Sequence, residues 1–197
     1  MGFLDVLMGR RKLDAAAPDR LFAISTAYVT LESSMGLTSR GSAAIVFQPL
    51  SSADFQSIVK DTEEVVRATS SEHGISVETS DDQYGFRWLV LRGQGFDDLV
   101  VGINAVSSSL EGGGYGERVL CAVFAFGDEQ SHPAYWIYNY KRGSFYPFAP
   151  VADAETPSGE DGWRDNEREL VLKAQIGAEL PVEPDLERWF PLWGIPI

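Results

Sequence analysis

One cysteine, two histidines and a run of glycines are where this sequence could carry chemistry. Cys121 stands among Val119, Val123 and Phe124. A reactive thiolate needs a base or a helix amino terminus beside it, and neither is local. The spacing reads as a buried cysteine used as a small hydrophobe. A lone cysteine also excludes an intramolecular disulfide, which fits a reducing compartment. His73 and His132 form no His-x-His or His-x-x-x-His pair, so they make poor metal ligands, and we assign them no catalytic role. Gly112, Gly113, Gly114 and Gly116 suggest a phosphate loop, which needs a strand before the glycines and a helix amino terminus after them. Here the order is helix, glycines, strand, and a helix carboxyl end repels anions. The glycines read as a helix stop and turn. No catalytic residue, metal or cofactor is expected.

Charge narrows the remaining classes. The chain has 197 residues with 16 basic and 29 acidic side chains, a net −13. Nucleic-acid affinity rests on Lys/Arg–phosphate contacts, so no nucleic-acid partner is expected. Residues 151–188 alone carry −7 and read as a solvated face, with an acidic partner-binding patch as the alternative. The segment Tyr135–Phe148 holds seven aromatics and the pair Lys141–Arg142. It is the densest candidate for an exposed contact surface, through Tyr140, Lys141, Arg142, Phe145 and Tyr146. The alternative is a core strand pair.

The elements follow from apolar period. Leu21, Ile24, Tyr28, Leu31 and Met35 predict a helix over 18–35, with a strand as the rival because Thr26, Val29 and Thr30 are β-branched. A strand is predicted over Ser42–Gln48 and a helix over about 52–70, its stripe formed by Phe55, Ile58, Val59, Val65 and Val66. A hairpin over 75–79 and 84–92 turns at Asp81–Gln83. A helix over 97–110 precedes a strand at 118–126 that is apolar on both faces and therefore central. Strands at 134–141 and 145–148, a polar stretch at 151–162 and a helix over 164–177 complete the pattern. The fold class is α+β. The sheet is mostly antiparallel, with a ferredoxin-like β-α-β-β-α-β core over 42–126, added strands and flanking helices.

Both ends carry apolar material. Residues 1–12 are predicted as an amphipathic tail with Phe3, Leu4 and Leu7 on one face and Arg10, Arg11 and Lys12 after it. It reads as a membrane-surface or partner-binding foot, or as a tail docked on its own domain. Apolar residues precede the charge there, the reverse of a signal peptide. No run reaches the roughly 18 residues of a membrane span, so the chain is placed in the cytoplasm. Residues 13–197 are expected to form a single domain. Its last residues hold Trp189, Phe190 and Trp193 between prolines. Their area favours packing on the sheet near 134–148, and Trp189 and Trp193 are also candidate partner contacts.

Several blocks resemble one family. MGFLDVLMGR at the start, DQYGFRWLV at 82–90, NAVSSSLEGGGYGERVLC at 104–121, YKRGSFYPFAP at 140–150 and ELPVEPDLERWFPLWG at 179–194 are similar to PspAB, the PspA-associated proteins of phage-shock envelope-stress systems. The resemblance implies a cytoplasmic, non-enzymatic accessory protein acting through protein–protein contacts, with peripheral contact at the inner face of the membrane open to it. It implies a PspA-like partner and an HtpX-type membrane metalloprotease as a second one. The alternative is a small-ligand-binding domain or small enzyme with a pocket between sheet and helices.

Overall fold

In the computed structural model, which describes residues 18–72, 74–151 and 163–197, side-chain period decides most elements. Helix α1 spans Pro18–Met35 and buries Leu21, Ile24, Ala27 and Leu31. Its β-branched Val29 is two-thirds exposed, so burial by the stripe outweighs the strand preference. Gly36 ends the helix at φ +62°, a region that favours glycine, and the Gly36 and Leu37 amides bond back to Glu32 and Leu31 carbonyls.

Strand β1 (Thr38–Phe47) begins four residues earlier than predicted. An irregularity between Ser39 and Ala43 absorbs the extra chain at Gly41, whose φ is +67° and whose carbonyl accepts from Gly93 N–H. Helix α2 spans Ala53–Glu72 and buries Phe55, Val59 and Val66. Val65, expected in that stripe, faces solvent instead at 61% exposure, because neighbouring positions on a helix lie about 100° apart and Val66 takes the inward one. The hairpin β2 (Ser76–Asp81) and β3 (Arg87–Arg92) turns through 82–86. Helix α3 spans Phe96–Gly112; a Cβ at Gly102 would collide with Leu91, so glycine lets this helix lie close on β3. Then come β4 (Val119–Gly127), β5 (Pro133–Asn139), β6 (Ser144–Phe148) and helix α4 (Asn166–Ile176). Helix α4 starts at Asn166, later than predicted, because the Asp165 carboxylate caps it, accepting from Arg168 N–H at 2.9 Å.

These elements make an α+β fold with one six-stranded sheet in the order β2-β3-β1-β4-β5-β6, every neighbouring pair antiparallel. β4 lies inside the sheet, which accounts for its apolar residues on both faces. The alternation along β1 separates two cores. Ala43, Ile45 and Phe47 point toward the helices; Ala44 and Val46 point to the opposite face. Among the described residues no α-helix packs on that opposite face. The carboxyl-terminal tail covers part of it.

The tail is fixed in three steps. Phe145 N–H donates to Pro181 carbonyl and Glu183 N–H to Phe145 carbonyl, each at 2.8 Å, so the tail closes the β6 edge of the sheet. A short turn of 3₁₀ helix at Leu186–Arg188 then brings Trp189 under the sheet, where it is 4% exposed. Its ring stacks on Tyr146 at 6.4 Å and its indole N–H donates to Glu183 carbonyl at 3.0 Å. Trp193 meets Phe148 edge-on at 5.0 Å. Phe190, between them, stays 59% exposed.

The acidic region 151–188 is not uniformly a solvated face. Glu169 is 1% exposed and Glu183 is 6% exposed. Glu169 accepts from Arg164 Nη2 and Nε and from Ala149 N–H; Arg164 also donates to Trp189 carbonyl at 2.8 Å. Glu183 lies 3.5 Å from Arg188 and 3.9 Å from Arg142. A buried carboxylate must be paired, and the sequence hides this because each partner lies in an ordinary mixed-charge run.

Candidate functional site

Where tail and sheet part, they leave an open pocket of about 510 Å³. Its floor is Val46, Trp88 and Cys121, side chains of the adjoining strands β1, β3 and β4, together with Tyr146 of β6, all on the sheet face opposite the described α-helices. One wall is the β2–β3 turn with Asp82, Tyr84 and Phe86; the other is the tail from Phe190 to Trp193. The volume is within the usual range for ligand sites, about 300–1,000 Å³. The pocket therefore lies between sheet and tail, and not between sheet and helices as the sequence suggested. A helical layer needs a continuous apolar sheet face and fills it; the short tail fills only part of the other face.

Asp82 organises the hairpin wall. Its Oδ1 accepts from the N–H groups of Tyr84 and Phe86, each at 2.9 Å, and its Oδ2 accepts from the Trp88 indole N–H at 2.9 Å. An aspartate bonding its own backbone two residues on is a turn former, so the sequence predicts the turn but not the reach to Trp88. The Tyr146 hydroxyl donates to the Phe190 carbonyl at 3.1 Å and so fixes the opposite rim. Burial raises the Tyr146 phenol far above its ordinary value. The Cys121 thiol, buried in the floor, is pushed up to about 12, which makes it a packing group and a poor nucleophile.

The residues expected to contact a partner fall in different places. Phe145, Tyr146 and Trp189 are buried, at 0–4% exposure. The Tyr146 and Trp189 rings pack the tail against the sheet, and the Phe145 ring packs on Tyr138 in the core on the helix side. Trp193 is half-buried on the pocket wall. Tyr140 is half-buried, while Lys141 and Arg142 are exposed in the β5–β6 turn. Phe3, Leu4, Leu7 and His73 lie outside the described residues. Sequence reasoning passed over Asp82, Tyr84, Phe86 and Phe190 as site residues; the DQYGF turn was visible only as a turn.

His132 sits in the β4–β5 turn, with Nδ1 3.1 Å from Asp128 Oδ2. An Asp–His pair can orient an imidazole for proton transfer. Here the same Asp128 carboxylate also accepts from the His132 backbone N–H at 2.8 Å and from Arg168 at 3.2 Å. The cluster ties the turn to α4. Among the described residues no group of three or more His, Cys, Asp or Glu could hold a metal ion.

The model of one family, described as PspA associated protein B, matches residues 1–197. The chain belongs to the PspA associated protein B family. No curated protein and no solved structure matches it. The match covers both the pocket walls and the amino-terminal residues outside the described structure. No described helix is long and apolar enough to cross a membrane.

Proposed function

We propose that this chain is a non-enzymatic accessory protein that associates with a PspA-type protein in the cytoplasm, and that the pocket face of the sheet is the contacting surface. The supporting observation is the open, aromatic-lined pocket with Phe190 standing 59% exposed on its rim, in a chain whose family is named for association with PspA. Large exposed rings beside an apolar concavity are how protein-binding surfaces are built. The reading is further supported by the burial of the Cys121 thiol and by the hydrogen bonds of His132 to Asp128 within a turn. Lys141 and Arg142, exposed on the β5–β6 turn, are proposed as a secondary contact, and Phe3, Leu4 and Leu7 as a peripheral membrane foot.

A second reading, a small-ligand-binding domain, is favoured by the pocket's volume. One experiment separates the two. The purified full chain is used to capture PspA and an HtpX-type metalloprotease in separate arms, and the same preparation is examined by native mass spectrometry. PspA retained by the wild type and lost in Phe190→Ala supports the accessory reading. No retention, together with a bound small molecule, replaces it with the ligand reading.

A further inference from the structure

Asp82 is a half-buried carboxylate in the wall of an apolar pocket, and among the described residues it belongs to no ion pair. Its three hydrogen-bond donors are neutral: two backbone amides and an indole. The nearest guanidinium in sequence, Arg87, is taken by Asp81, which it grips through Nε at 2.7 Å and Nη2 at 2.8 Å. A carboxylate accepts at about four lone-pair positions, and Asp82 has one oxygen with a single donor. The pocket whose wall it forms is also lined by Tyr84, Phe86, Trp88, Tyr146, Phe190 and Trp193. An anion among aromatic rings, without a counter-ion, is the environment that attracts a desolvated cation. The chain's −13 charge adds a field that draws cations toward it.

We propose that this pocket is the receptor for an arginine side chain of a protein partner. Arginine fits better than lysine, because its planar guanidinium stacks on rings while its fork reaches a carboxylate. A protein fits better than a free small cation. The rim carries two largely exposed rings, Tyr84 at 54% and Phe190 at 59%, which a small ion would leave in water and a protein segment would cover. The volume of about 510 Å³ accommodates the arginine with an apolar neighbour. The inference deepens the accessory reading and rests on the pocket face being a protein contact.

The test uses the full chain labelled with ¹⁵N and the tripeptide amide N-acetyl-Leu-Arg-Leu, with its citrulline counterpart as a neutral isostere. The Trp88 indole N–H, bonded to Asp82, and the Trp193 indole report on the pocket; the Trp163 indole, exposed elsewhere, is the internal control. The arginine peptide is expected to shift the first two resonances and not the third, saturating in the millimolar range. The citrulline peptide is expected to bind at least about tenfold more weakly. Phe190→Ala, at an exposed position, and Asp82→Asn should each reduce the arginine shifts, with added salt weakening binding in the wild type. Equal shifts from both peptides, or no pocket shift from the arginine peptide, overturns the proposal. A failed PspA capture with a positive arginine result removes that partner and leaves the site; the converse removes the site and leaves the association.

Discussion

The Trp88 indole N–H donates to the Asp82 carboxylate at 2.9 Å, joining the floor of the pocket to its hairpin wall. Trp88 is 3% exposed, and the Asp82 carboxylate is the acceptor its N–H has in the fold. Asp82→Ala also frees the amides of Tyr84 and Phe86. Losing an ionic acceptor that leaves a buried donor costs about 1–3 kcal/mol, and the turn amides add to it. Urea unfolding should show Asp82→Ala destabilised by about 2–4 kcal/mol. Trp88→Phe in the Asp82→Ala background should cost less than in the wild type, because the orphaned N–H is gone. Additive losses would show that the bond carries no coupling.

Tail anchoring divides sharply between adjacent residues. Trp189 is 4% exposed and contacts Tyr146 and the Glu183 carbonyl; Phe190 is 59% exposed. Trp189→Ala should cost about 3–5 kcal/mol, the penalty for a large buried aromatic. Phe190→Ala should change stability by no more than about 0.5 kcal/mol. Thermal and urea melts of both variants check this. A Phe190→Ala loss as large as that of Trp189→Ala would mean that the rim ring packs against the fold.

Much of the architecture was legible in the sequence, for reasons visible in particular elements. The stripe Leu21, Ile24, Leu31 read as a helix because 3.6-residue period survives single β-branched residues such as Val29. The doubly apolar run 118–126 read as an interior strand because only a strand covered on both faces tolerates it, and β4 at Val119–Gly127 lies inside the sheet. The pocket was not legible. Its parts come from Val46, Asp82–Trp88, Cys121, Tyr146 and Phe190–Trp193, which meet only through antiparallel registers set by five strand pairings. Buried acids escaped for a related reason: Glu169 lies in NERELVLK, indistinguishable from the exposed Glu167 until Arg164 and the Ala149 amide are brought to it.

The Arg164–Glu169 pair fastens α4, β6 and the tail at one point, since Glu169 holds Ala149 N–H and Arg164 holds Trp189 carbonyl. Removing one member leaves an uncompensated charge in a buried place. Glu169→Leu and Arg164→Met should each cost about 3–5 kcal/mol. The double variant should recover part of that loss, because two apolar side chains can replace a buried pair without leaving a charge behind. A double variant as unstable as the sum of the singles would locate the effect in packing of the tail and not in the pair.

Two aspartates set the acid limit. The Arg87 guanidinium holds the Asp81 carboxyl below the ordinary carboxylate range, outweighing a small effect of burial. At Asp128 burial opposes ionisation, but the His132 N–H bond, the His132 ring and Arg168 outweigh it, and the carboxyl again lies low. A depressed folded-state value means that the unfolded chain takes up protons first, near the ordinary aspartate value of about 3.9. The stabilisation is complete above that value and is lost as pH falls through the lower folded-state values. Stability against urea should therefore be flat near neutrality and fall below about pH 4. Arg168→Ala removes one of the charges that keep Asp128 low, so its acid limb should be shallower than that of the wild type, with a lower plateau at neutral pH. Arg87→Lys should act likewise at Asp81, because an ammonium cannot reproduce the two bonds at 2.7 and 2.8 Å. An acid limb unchanged in both variants would show that neither aspartate sets it.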